Sequence, residues 1–226
     1  MPDNTSAVAF ADFALHLGSL TTTAKVIEAL QAAGPAVLGF GELSLLLRRD
    51  RQLLFAGATD ESLATATTGQ LELGEGPALD AVRESMVACA DLSTSELWPR
   101  WVAYSSGLGW RSWLSLRLTS RGERCLGVLN VGSRSIEAID VPRALILAAH
   151  LAVALDTVQV QENLLLARDA QMHVGQAVGL LMERYQLTAD QAFSVLRRYS
   201  QDQQVKLRDV AAQLLETRRL PGAGQG

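Results

Sequence analysis

Between Pro142 and about Arg184 the chain has no further proline and no strand-like segment, and only Gly175 and Gly179 weaken what reads as one very long helix. A helix of that length extends beyond any single small domain and needs a surface to cover it. Apolar positions recur along it at Leu147, Leu151, Ala154, Val158, Leu165 and Met172, with Gln161 and Arg168 interrupting the row. The spacing is close to 3.5 residues, a short and imperfect coiled-coil pattern. Two outcomes are open: self-association through this row, or folding back of the helix on its own domain.

Ahead of this helix the signals are mixed. Residues 8–33 have helical periodicity up to Gly34-Pro35, which reads as a stop. Glu42 to Arg49, with Leu43, Leu45 and Leu47 on one face, and Gln52 to Ala58 form an expected hairpin about Asp50-Arg51. Residues 59–75, rich in Thr and Gly, read as loop, and Gly76-Pro77 opens a helix, because proline's missing N–H costs nothing in the first turn. After a further loop, Asp91 to Arg100, the segments Arg111 to Thr119 and Cys125 to Val131 flank a Ser120-Arg121-Gly122 turn as a second antiparallel pair. Helices alternating with hairpins imply an α+β domain built on an antiparallel sheet.

Behind the long helix, Thr188-Ala189-Asp190-Gln191 is a capping box, and the helix it starts is expected to bury Ala192, Phe193, Leu196 and Tyr199. A last helix, Val205 to about Thr217, sets Leu207, Val210, Ala211, Leu214 and Leu215 on one stripe. The expected domains are 1–160, 161–220 and a disordered tail, 221–226.

The charge balance excludes a global basic field. From Gln161 onward there are eight Lys/Arg against seven Asp/Glu, and before it twelve against seventeen. Electrostatics alone does not point to nucleic acid. Cys89 and Cys125 are isolated and read as reduced thiols. The start lacks a basic n-region, and no apolar run approaches the ~18 residues of a spanning helix, so a cytoplasmic protein with no membrane partner is expected. His16, His150 and His173 are scattered, and Glu84, Asp91 and Glu96 form no spaced acid/base pair. Gly74-Glu75-Gly76-Pro77 lacks the third glycine and the lysine of a phosphate cradle. No catalytic residue, metal site or cofactor is therefore expected, and an enzyme's chemistry has no carrier here.

Four segments carry a resemblance. They are Val174-Gly-Gln-Ala-Val-Gly-Leu-Leu-Met-Glu-Arg184, Leu187-Thr-Ala-Asp-Gln-Ala-Phe193, Leu196-Arg-Arg-Tyr-Ser200 and Lys206-Leu-Arg-Asp-Val-Ala211. Together they resemble the ANTAR domain nearly end to end. Gly74-Glu-Gly-Pro-Ala-Leu-Asp-Ala81, Asp91-Leu with Trp98-Pro99, Gly109-Trp-Arg-Ser112 and Leu126-Gly-Val-Leu-Asn130 are similar to GAF domains of the kind fused to ANTAR in actinobacteria. The ANTAR resemblance implies an RNA-binding three-helix bundle and a homodimer joined through the long helix. Such a dimer would hold paired hairpin loops in nascent transcripts, so that polymerase reads through a terminator. The GAF resemblance implies a sensor for a small-molecule or protein effector.

RNA hairpin loops are read by shape and by splayed bases, which suits small side chains flanked by guanidiniums. The candidate RNA-binding residues are Gln176, Ala177, Gly179 and Arg184 on the long helix, Arg197 and Arg198 on the next, and Lys206 and Arg208 at the start of the last. Arg198, Lys206 and Arg208 are expected to share one outward surface. The chain departs from the family at Val178, where Lys or Arg is frequent, and at Gln204, where Asn is frequent and would cap better. Loss of the cation at 178 leaves open an alternative: a protein–protein signalling module with a GAF ligand pocket and no RNA binding.

Overall fold

The computed structural model describes residues 4–136 and 139–219, in two compact units, Met1–Val160 and Gln161–Gly226. The expected tail at 221–226 lies outside the described residues.

The first unit is an antiparallel sheet covered on both faces. It begins with two helices, α1 (Asn4–Ser19) and α2 (Thr23–Leu38), not the single helix the periodicity suggests. The break occurs where Thr22 turns extended and its hydroxyl accepts the Lys25 N–H, capping α2. Pro35 does not stop α2. The helix runs on to Leu38 and ends at Gly39, whose φ of 82° puts it in the left-handed region; its N–H donates to the Pro35 carbonyl. Strands β1 (Glu42–Arg49) and β2 (Gln52–Ala58) form the expected hairpin.

Residues 59–75 are not a loop. They hold α3 (Glu61–Leu73), started by Asp60, whose carboxylate accepts the Leu63 N–H at 2.9 Å. The segment's good helix formers are interrupted by three threonines and Gly69 and give only a weak amphipathic pattern, and burial of Leu63, Ala66, Thr67 and Gln70 stabilises it. Next come α4 (Pro77–Glu84), a short strand β3 (Met86–Cys89), a 3-10 turn at Leu92–Thr94 and α5 (Pro99–Gly107). The last two strands are β4 (Ser112–Thr119) and β5 (Cys125–Ser133), and the strand order is β2-β1-β5-β4-β3.

The period-two pattern sorts side chains between two cores. Leu43, Leu45 and Leu47 of β1, with Leu114, Leu116 and Leu118 of β4, face a layer made by α1, α2 and the start of α6 (Val141–Tyr185). The opposite face carries Leu46, Trp113 and Val128, which pack with Trp98, Trp101 and Trp110 and with Leu63, Ala66, Ala78 and Ala81 of α3 and α4. Trp101, Trp110 and Trp113 are fully buried, and their rings meet edge to face at centroid distances of 5.0 and 6.3 Å. A buried polar chain crosses the middle of this face. The Trp113 indole donates to Ser115 Oγ, which donates to Asn130 Oδ1 at 2.6 Å; Asn130 Nδ2 donates in turn to Ser44 Oγ, itself 2.7 Å from Thr67 Oγ1. Every member has a partner, so the network orders the core rather than weakening it.

Helix α6 explains the uneven row of apolar residues. Leu147, Leu151, Ala154 and Val158 are buried in the first unit's own core, so the first part of the row is folded back on the sheet. Leu165 and Met172, farther along, are 59% and 52% exposed. The helix also corrects the expectation that no segment is long and apolar enough to cross a membrane. By length and composition Val141–Tyr185 is, and 44% of its most apolar window is buried within the protein.

The second unit is built from the end of α6 with α7 (Ala189–Asp202) and α8 (Leu207–Thr217). The Thr188/Gln191 capping box is present in both directions, at 3.3 and 2.9 Å. The core consists of Ala177 and Leu181 of α6, Ala192 and Leu196 of α7, and Val210, Ala211 and Leu214 of α8. Small alanines on all three helices permit close approach, and the leucines fill what remains.

Candidate nucleic-acid interface

Ala177 is fully buried in the bundle core and cannot receive a base. Its small side chain serves helix packing instead, which corrects its placement on the RNA face. Gln176 and Gly179, one residue before it and two after, are exposed, and a Cβ added at Gly179 would meet nothing within 4 Å. Val178 packs partly against the core, so it adds apolar contact where family members often carry a cation.

Arg184 is exposed, but one Nη donates to the Arg218 carbonyl at 2.5 Å. Arg218 is the left-handed C-cap of α8, so this bond ties the ends of α6 and α8 together and satisfies a terminal carbonyl. Arg198 sits 3.6 Å from Asp202 one turn on, and Arg208 3.3 Å from its neighbour Asp209. Both pairs are on the surface, where such contacts are worth roughly 0–1 kcal/mol and exchange readily for a phosphate. Arg197 and Lys206 are exposed and have no ion pair among the described residues.

Of the eight candidates, seven are exposed and Ala177 is buried. At about 100° per residue, Arg197 and Arg198 leave α7 on different flanks. Lys206 is the N-cap of α8 and Arg208 lies in its first turn, two positions on, so these two do not share a flank either.

Phe193, unlike its expected place in the core, is 41% exposed. The signal was present: Phe193 directly follows Ala192, about 100° away from the stripe that Ala192 and Leu196 bury. Arg197, four residues on, lies on the same side of α7. One flank of this helix therefore presents an aromatic face next to an arginine without an ion pair. Gln204 has φ 53° and is not a cap at all; Lys206 caps α8. Asn tolerates the left-handed region better than Gln, which accounts physically for the family's preference there.

The family model for the ANTAR domain matches residues 162–215. The C-terminal unit carries an ANTAR domain. Its match spans the end of α6 together with α7 and α8, the helices whose packing forms the bundle core. The N-terminal unit has the GAF fold. Solved structures similar to it include the GAF domains of phosphoenolpyruvate-protein phosphotransferases from Acinetobacter (TM-score 0.53, 14% identity) and Coxiella burnetii (TM-score 0.54, 17% identity), each covering 71% of this chain and 99% of the other. The free methionine-R-sulfoxide reductase of Neisseria meningitidis, in complex with its substrate, matches at TM-score 0.51 and 20% identity, over 70% of this chain and 92% of its own. No curated protein sequence matches the chain.

Proposed function

We propose that the chain is a cytoplasmic transcription antitermination regulator, and not an enzyme, whose ANTAR domain binds paired hairpin loops in nascent RNA under the control of the GAF-fold unit. The observation that carries this reading is the ANTAR match itself, joined to an α7 flank where exposed Phe193 and Arg197 stand one turn apart. An unstacked base can lie on an aromatic ring while a neighbouring guanidinium takes the phosphate. Gln176 and Gly179 supply an exposed, low-profile stretch of α6. A homodimer through α6 fits the exposed Leu165 and Met172, which continue the apolar row beyond the part already used by the sheet.

The test is a mobility shift with an RNA of two tandem hairpins, run with the purified full chain at low salt and followed by sedimentation of the complex. A shift with two chains per RNA is expected. No shift would favour the protein-interaction reading, for which the Val178 departure is the supporting observation.

A further inference from the structure

The GAF-fold unit has an open groove of about 600 Å³ where the end of the β1–β2 hairpin meets the α3–α4 junction. That is the size of a small-ligand site. Arg48, Arg51 and Arg83 all line it, and none has an ion pair or hydrogen-bond partner among the described residues. Three arginines line one groove in a segment of the chain where Asp and Glu outnumber Lys and Arg by seventeen to twelve.

The acids on the groove wall, Glu75 and Asp80, form no ion pair with these arginines among the described residues. Asp80 accepts the Trp98 indole N–H at 2.7 Å. Glu75 accepts the backbone N–H groups of Trp101 and Arg100 and is paired with the Arg100 side chain at 3.3 Å. Those bonds, led by the one from Trp101, hold the Glu75 carboxyl below its ordinary value of 4.5 and so keep it engaged as a carboxylate. The rest of the wall includes Leu71, Leu79 and the edge of Trp98. The space between the sheet and α3–α5 is meanwhile filled by the buried rings of Trp101, Trp110 and Trp113.

We propose that the groove binds a small phosphate-bearing anion with at least two negative charges, its phosphoryl oxygens held by Arg48, Arg51 and Arg83 and its apolar part against Leu79 and Trp98. Planar guanidiniums pair bidentately with phosphoryl oxygens, and three of them favour a multiply charged group over a carboxylate. The proposal rests on the reading of this unit as the sensor and supplies the class of its effector.

The test is calorimetric titration of the full chain with pyrophosphate and with phenyl phosphate at physiological ionic strength. One site per chain is expected, with phenyl phosphate probing the apolar wall. Arg48→Gln and Arg83→Gln should each weaken binding about tenfold or more, while Arg121→Gln, on the β4–β5 turn, leaves it unchanged. Thermal melts of all three variants should match the parent, since these side chains have no partners to lose. Absence of heat with both probes, or equal weakening by Arg121→Gln, would overturn the proposal. Hairpin RNA is titrated in parallel. Phosphate binding without RNA binding defeats the RNA reading alone, and the converse defeats this one alone.

Discussion

Phe193 and Leu196 stand three residues apart on α7, and alanine at each should have opposite consequences. Leu196 is fully buried in a core of seven residues shared by the end of α6, α7 and α8. Truncating it removes three carbon groups, about 2.4 kcal/mol of transfer free energy at ~0.8 each, and leaves a cavity that brings the cost into the 2–5 kcal/mol range. A module this small holds only about 3–5 kcal/mol of stability. Leu196→Ala therefore unfolds most of the bundle. Phe193 is 41% exposed, so its truncation should cost the fold about 1 kcal/mol. If a base stacks on its ring, the same change costs binding about 1–3 kcal/mol, or roughly a 5- to 150-fold higher Kd. Urea unfolding followed by far-UV circular dichroism reads the first quantity, and fluorescence anisotropy of a labelled tandem-hairpin RNA reads the second. Phe193→Ala with native stability and weakened RNA binding is the expected result. A stability loss matching that of Leu196→Ala, or unchanged RNA affinity, would refute the placement of Phe193 on the binding face.

Other perturbations probe other parts of the chain. A Cβ at Gly127 would run into the Leu46 carbonyl of the adjacent strand, so Gly127→Ala should destabilise the GAF-fold unit by about 3 kcal/mol in chemical denaturation. Asp60 is held below its ordinary value of 3.8, chiefly by the Ser62 hydroxyl, with the Leu63 N–H and Arg134 adding to this against the opposing effect of burial. A depressed carboxyl stabilises above its unfolded value and loses that contribution as pH falls through its folded one. The ~1 kcal/mol cost of Asp60→Ala at neutral pH should therefore shrink below about pH 4 in paired thermal melts. Arg197→Gln should reduce the log–log salt slope of RNA binding by about 0.7 if that side chain contacts a single-stranded phosphate; an unchanged slope places it outside the interface. Burial raises the Cys89 thiol above its ordinary 9.0, so alkylation at mildly basic pH should be slower at Cys89 than at a free thiol and should accelerate on unfolding.

The readable parts of this sequence were those where one local rule had no competitor. The two hairpins follow from alternation in Leu43–Leu47 and Leu114–Leu118, and the α7 start follows from Thr188 and Gln191. What could not be read depends on tertiary context. The α3 segment lacks a clear apolar stripe, its threonines and Gly69 reading as loop, and its helix is held by the burial of Leu63, Ala66 and Gln70. Pro35 lies inside α2 because the helix packs tightly on β1, where a Cβ at Gly34 would come within 2.5 Å of Leu43 Cδ1. Burial decided Ala177 as well: a small side chain looks the same in sequence whether it receives a helix or a ligand. The rim groove was illegible for a related reason, because Arg48, Arg51 and Arg83 meet only once the hairpin end and α4 are brought together.

All four tryptophans of the chain, Trp98, Trp101, Trp110 and Trp113, belong to the aromatic core of the N-terminal unit, and the ANTAR domain has none. Indole emission excited at long wavelength therefore reports on one unit alone. The edge-to-face rings should couple into a strong near-UV dichroic signal that vanishes when that unit melts. Tyr185 and Tyr199 are the aromatic reporters left to the bundle. The melting of the two halves can thus be followed separately in one unlabelled sample, without cutting the helix they share.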